Sequence, residues 1–165
     1  MKELLPNELD FNAFNKFGKE WALIVVEDEK EDNAMTIAWG QLGILWSKPV
    51  MSVYVRNNRY TKHMLDSVNK FSVCFFEDSY KEKLGICGTK SRSNLDKISE
   101  CKFTRIKDNS TLYLKEAQYT FILKKIYQID MPINEHTDIS ISRHYNENEY
   151  HTQYIGEIEK ILVNE

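Results

Sequence analysis

The chain has 165 residues, 42% of them hydrophobic and 28% charged, with a net charge of −3. That is enough chain for one domain with a core of its own, and the expectation is a single domain over residues 1–165. The balance carries no basic tail or lysine stripe, which argues against a nucleic-acid partner. The three cysteines, Cys74, Cys87 and Cys101, lack CxxC spacing, so a disulfide framework or zinc site is not expected, and a reducing compartment fits best. The first residues lack the apolar core of a signal peptide and no 18-residue apolar run exists, so a cytoplasmic protein without a membrane span is expected.

In chain order, residues 1–19 mix polar and aromatic side chains, with Leu4, Leu5, Phe11, Phe14 and Phe17 available to cover a core. Trp21 to Val26 is a branched apolar run of strand length, as for a strand buried on both faces. The acidic stretch from Glu27 to Asp32 predicts a solvated hairpin turn. Met35 to Trp39 continues as a strand, broken by a loop at Gly40 and Gly43, and Pro49 leads into the next strand. There Met51, Val53 and Val55 alternate with Ser52, Tyr54 and Arg56, giving one apolar face. Tyr60, Met64, Leu65 and Val68 then follow a helical period, with Thr61 at the helix start.

A strand is predicted over Phe71 to Phe76 and a short helix over 79–88, closed by Gly88 in a left-handed stop. Leu112 to Leu114 is a short strand, and Ala117 to Ile129 the longest. Segment 131–151 shows no sustained period. Tyr154 to Val163 is a last strand, in which Gly156 marks a bulge or a close backbone approach. Many strands with few short helices predict a mainly β, antiparallel barrel or sandwich. No GxGxxG or GxxxxGK[ST] is present to support a βαβ nucleotide fold.

Arg56, Arg59 and Thr61 sit at a strand-to-helix junction, where guanidiniums, a hydroxyl and free N–H groups can cradle a phosphate. A second polar cluster, Lys90, Ser91, Arg92 and Lys97, could close on the same anion or form a solvated loop. Trp39 and Trp46 flank glycines that would let backbone N–H groups approach a flat ring. The four histidines, His63, His136, His144 and His151, have no metal spacing. No nucleophile elbow, Cys–His pair or carboxylate pair suggests hydrolysis, so no side chain stands out as catalytic.

Three blocks carry a family resemblance: NAMTIAWGQLGILWSKPVMSVYVRNNRYT over 33–61, CGTKSRSNLDK over 87–97, and YHTQYIGEI over 150–158. In order and spacing they resemble the flavin reductase-like, FMN-binding split-barrel family, and within it the flavoredoxin-like branch. The resemblance implies a six-stranded antiparallel Greek-key split barrel that binds FMN at a homodimer interface. Asn33 and the backbone of Met35, Thr36, Ile37, Ala38 and Trp39 would contact the isoalloxazine, with the Trp39 ring beside it. Arg56, Arg59 and Thr61 would hold the phosphate end together with Ser91 and Lys97, and His151 would approach the flavin. The middle block departs from the family pattern, lacking its glycine and carrying Arg92 one place early. The implied activity is an oxidoreductase passing electrons from NAD(P)H or a protein donor through FMN; the alternative is an electron carrier without catalysis of its own.

Overall fold

In the computed structural model, residues 1–90 and 95–164 are described. An eight-stranded antiparallel sheet dominates. Its strands are β1 (Lys2–Leu4), β2 (Ala22–Glu27), β3 (Asp32–Ile37), β4 (Gly40–Leu45), β5 (Lys48–Arg56), β6 (Lys70–Phe75), β9 (Tyr119–Met131) and β10 (His151–Val163). The path runs β3-β2-β6-β9-β10-β5-β4, with β1 added on β10. A separate hairpin pairs β7 (Arg105–Asp108) with β8 (Thr111–Leu114). The helices are α1 (Ala13–Asn15), α2 (Tyr60–Ser67), α3 (Lys81–Thr89) and α4 (Lys97–Glu100). Among the described residues no helix is long and apolar enough to cross a membrane.

The run expected to be buried on both faces divides its side chains between two clusters. Ala22, Ile24 and Val26 of β2 enter one core with Met51, Val53, Val55, Phe71, Phe121 and Tyr154. Leu23 and Val25 enter a second, with Leu84, Cys87, Ile98, Phe103 and Leu114. Apolar contact on both sides is what a continuous branched run requires. The period-2 face of β5 likewise lies wholly in the first core. Helix α2 drops Met64 and Leu65 into that core and touches β2, β3 and β5. It therefore bridges strands from the two halves of the sheet, with its first turn at the rim between β3 and β5.

Several local expectations are corrected by tertiary packing. Gly40 and Gly43 do not form a loop; they lie in β4, which pairs with β5 from Gly40↔Val53 to Leu45↔Lys48. The turn is Trp46–Ser47, both at positive φ (50° and 58°), the backbone a two-residue hairpin needs for its twist. Gly40 serves packing instead, since a Cβ there would fall 2.2 Å from the Phe17 ring. Gly88 is inside α3 and is not left-handed; its missing side chain admits Thr36 of β3, 3.2 Å from where a Cβ would stand. β1 and β4 were not foreseen as strands, so the sheet exceeds six strands, and β7 of the separate hairpin was not foreseen either. Phe17 is buried and Phe11 packs edge-on against Phe75, Tyr119 and Phe121, whereas Leu5 and Phe14 are exposed.

Gly156 meets both expectations. The β9–β10 register shifts between Ile155 and Gly156, and a Cβ at Gly156 would lie 2.8 Å from the Cβ of Leu123. Neither atom can swing aside, because both sit at the root of a side chain. Gly156→Ala should therefore destabilise the protein by about 1–3 kcal/mol, the usual cost of overpacking. Urea denaturation checks this, and an unchanged midpoint would show that the two strands can part there freely.

Candidate functional site

Two adjoining cavities open at the rim where α2 begins. The first, about 390 Å³, is lined by Asn33, Met35, Arg56, Asn58, Arg59, Tyr60, Thr61, Cys87, Lys90 and Lys97. The second, about 220 Å³, is lined by Met35, Thr36, Ile37, Ala38, Trp39, Tyr54, Arg56, Arg59 and His151. Met35, Arg56 and Arg59 belong to both, which makes them one continuous groove. Of the residues that the resemblance assigned to FMN, Ser91 lies outside the described residues, as does Arg92 of the same polar cluster. The other eleven assigned residues line this groove.

The first cavity is cationic because four basic side chains face it. Arg56 ends β5 and Arg59 caps α2, so the strand-to-helix junction fixes their separation. Thr61, buried in the first turn, accepts a hydrogen bond at Oγ1 from Asn33 Nδ2 at 2.9 Å. Asn33 therefore sits against the phosphate-type cluster, one wall away from the Trp39 region to which the resemblance assigned it. Its Oδ1 is buried without a hydrogen-bond partner. Such an acceptor is costly to leave unmet and suits an N–H or O–H donor from a ligand.

Lys97 is only 3% exposed and donates to the Cys87 carbonyl at 3.3 Å. It is placed by a clamp that the sequence did not reveal. Arg105 of β7 pairs with Asp32 at 2.6 Å and Asp96 at 2.8 Å, and these two carboxylates immediately precede Asn33 and Lys97. Asp96 also caps α4 through the Ser99 N–H. Burial pushes the Asp96 carboxyl up, but hydrogen bonds from Ser99 and Arg105 outweigh it and hold the group below its usual range. Burial pushes the Cys87 thiol, beside Cys101, up to about 12, so it stays protonated.

The second cavity is flatter and is lined by two basic side chains, Arg56 and Arg59, where the first has four. Thr36 turns its hydroxyl onto the Leu84 carbonyl of α3, which leaves the β3 backbone running along the wall to Trp39. His151 starts β10 opposite Arg56. Its ring lies 4.8 Å from Trp39, and its Nδ1 is 2.9 Å from the Tyr145 hydroxyl. Tyr145 and the rest of segment 139–149 are held by Arg56, which pairs with Glu149 at 3.2 Å and donates to the His144 carbonyl at 3.1 Å. Glu149 also accepts from Asn58 and Asn146. Tyr145 and Glu149 carried no periodic or motif signal. Tyr54 could have been found, since it shares the polar face of β5 with Ser52 and Arg56. Trp46 lies away from the groove, packed edge-on against Tyr127.

Neither a family model nor a curated relative matches the chain. Solved structures do match it. Flavoredoxin from Methanosarcina acetivorans superposes with a TM-score of 0.72 at 18% identity, over 88% of this chain and 69% of that one. A split-barrel-domain protein from Shewanella frigidimarina NCIMB 400 gives 0.71 at 16%, over 89% and 68%. The FMN-binding domain of a flavin reductase-like enzyme from Shewanella baltica OS155 gives 0.64 at 13%, over 90% and 70%. The fold is thus the split barrel of these flavin reductase-like proteins, and the mainly β reading holds.

Burial, reinforced by the charges of Arg56 and Arg59, pulls the His151 imidazole down to about 4. An unfolded histidine titrates near 6.5, so the unfolded chain binds the extra proton first. This contribution to stability is complete above about pH 6.5 and fades as pH falls towards 4. NMR titration of the His151 ring should give a midpoint near 4, and Arg56→Met should raise it. A midpoint near 6.5 in the parent protein would contradict this electrostatic account.

Proposed function

We propose that the groove binds FMN and that the protein is an FMN-dependent oxidoreductase of the flavin reductase or flavoredoxin type. One observation carries this reading: a cationic cavity with a buried hydroxyl runs without interruption into a flat cavity walled by strand backbone, Trp39 and His151. The donor set fits an amphiphilic anion with a planar head. Arg56, Arg59, Thr61 and Lys97 would hold the phosphate, aided by the partial positive charge at the start of α2. The arginine guanidiniums serve there as fixed cations. The unpartnered Asn33 Oδ1 would accept a hydrogen bond from the polyol chain or the ring edge. Backbone from Met35 to Trp39, with the Trp39 and His151 rings, would orient the isoalloxazine.

FMN supplies the redox chemistry when bound, and the protein supplies binding, orientation and exclusion of water. The neutral His151 adds no charge beside the ring, so the field there comes from the fixed guanidiniums. NAD(P)H is the proposed electron source, and the cytoplasm the proposed location, consistent with three free, buried cysteines. A homodimer is part of the proposal. Trp46, Tyr127, Ile129, Met131 and Ile133 are all more than two-fifths exposed, and they leave an apolar region on the β4 hairpin and the end of β9 for a second copy to cover. Ser91 stays in the proposal as a phosphate ligand on the resemblance alone.

Titration of the purified protein with FMN should give saturable binding with a yellow, protein-bound chromophore. No binding at tens of micromolar FMN would overturn the reading. Lys97→Ala and Thr61→Ala should each weaken FMN affinity by about 1–3 kcal/mol, the loss expected for a buried or charge-assisted hydrogen bond. Unchanged affinity in both variants would place the phosphate elsewhere.

A further inference from the structure

Segment 139–149, a 3-10 turn (Ile139–His144) followed by a loop, forms a strap beside the groove. None of its residues is buried, and none belongs to either apolar cluster. What holds it is polar. Arg56 donates from Nη1 to Glu149 Oε2 at 3.2 Å and from Nη2 to the His144 carbonyl at 3.1 Å. Asn58 Nδ2 donates to the other oxygen of Glu149 at 2.8 Å, and Asn57 Nδ2 to the Asn148 carbonyl at 2.9 Å. The Tyr145 hydroxyl meets His151, and His144 stands edge-on to Trp39. A segment so exposed, with so little buried apolar surface, opens locally at low free energy.

Two of these donors have a second claim on them. Arg56 and Asn58 both line the cationic cavity. Glu149 therefore presents, from the strap, a carboxylate to two donors that an anion in that cavity would use. The Asn146 N–H, and after it the charge of Arg56, hold its carboxyl below the usual range, so it is ionised at neutral pH. Its hold on Arg56 is slight: one nitrogen at 3.2 Å, where Arg105 meets Asp32 with two at 2.6 and 3.0 Å. Partly exposed ion pairs of that kind contribute little to stability. A phosphate monoester carries up to about two negative charges at neutral pH and three acceptor oxygens. It is the stronger claimant on the same guanidinium.

We propose that Glu149 is an internal competitor for the anion site: a phosphate entering the cationic cavity takes Arg56 and Asn58 from it and releases the 139–149 strap. Ile141, His144 and Tyr145 also wall the apolar hollow beyond His151, so filling the charged end of the groove loosens the far end. The proposal rests on the FMN reading only for which phosphate arrives; the competition itself requires a phosphate and no flavin ring.

Arg143 lies exposed within the strap, and no other Lys or Arg stands between Lys125 and Lys160, so brief trypsin digestion of the intact protein reads the release. At matched ionic strength, cleavage after Arg143 should quicken about fivefold or more when inorganic phosphate or FMN saturates the protein. Riboflavin, which has the ring and no phosphate, should leave it at the ligand-free rate. Glu149→Gln should be cleaved at the faster rate without any ligand and should bind FMN about threefold tighter or more. Glu147→Gln removes the same charge from an exposed neighbour outside the Arg56 and Asn58 bonds, and should match the parent protein in both measurements. Slower cleavage with FMN, unchanged FMN affinity in Glu149→Gln, or an equal gain in Glu147→Gln overturns the proposal. If FMN binds and cleavage does not change, the competition is disproved and the FMN reading stands. If phosphate frees the strap and FMN does not bind, the competition stands and the FMN reading falls. A protein that responds to neither overturns both.

Discussion

The groove depends on one guanidinium. Arg105 stands between Asp32, where β3 begins, and Asp96, which caps α4. Asn33 and Lys97 follow those carboxylates directly in sequence, so the clamp helps to set the distance between strand and helix. Its geometry is strong for a partly exposed group, because Arg105 meets Asp32 with two nitrogens and Asp96 with both carboxylate oxygens. A planar fork suits that arrangement better than a lysine would. Lys97 is buried in the same region, where its Nζ donates to the Cys87 carbonyl of α3 and Asp96 lies one residue back. A buried ammonium without such company would shed its proton.

From that anchor the site changes character along its length. The end lined by Lys97, Arg59 and Thr61 is charged and hydrogen-bonding; the middle is strand backbone and Trp39; the far end, past His151, is apolar. Arg56 is the hinge of this gradient. It faces both cavities of the groove, stacks over Tyr145 at 5.7 Å, and pins segment 139–149 through Glu149 and the His144 carbonyl. One side chain thus lends positive charge to the groove and fixes the aromatic wall opposite it. Loss of Arg56 would release segment 139–149, whereas loss of Arg59, exposed at the start of α2, would remove charge from both cavities without releasing that segment.

How much of this could be read from the sequence follows from what sequence encodes locally. The branched run at 21–26, the alternation in β5 and the helical period from Tyr60 are local patterns, and they located the strand–helix frame of the groove. Gly156 was legible because a glycine inside an apolar strand gives up side-chain packing, a loss that a close backbone approach or a bulge offsets. Gly40, Gly43 and Gly88 misled for the complementary reason. Glycine signals a turn when its φ requires it, but Gly40 and Gly88 make room for Phe17 and Thr36, partners distant in the chain. The real turn fell to Trp46 and Ser47, residues that seldom take positive φ and that hairpin closure forces into it. Arg105 and Glu149 were illegible since the partners that tie them to the groove, Asp32 and Arg56, lie 73 and 93 residues away. Segment 131–151 was unreadable because a 3-10 turn and hydrogen-bonded loops have no hydrophobic period.

The electrostatics of the groove suit a ligand whose own charge varies. A phosphate monoester gains its second negative charge near pH 6, within the range where a histidine ordinarily titrates. Were His151 to titrate there too, the site would lose a positive charge just as the ligand became more negative. Burial and the neighbouring arginines prevent this by keeping the imidazole neutral down to about pH 4. The positive field beside the ring then rests on the guanidiniums of Arg56 and Arg59, which face both cavities. The same guanidiniums that make one end of the groove cationic also help to fix the protonation state of the ring beside it. Gathering positive charge at one end of the groove and keeping His151 uncharged are therefore one electrostatic arrangement, set by where β5 ends and α2 begins.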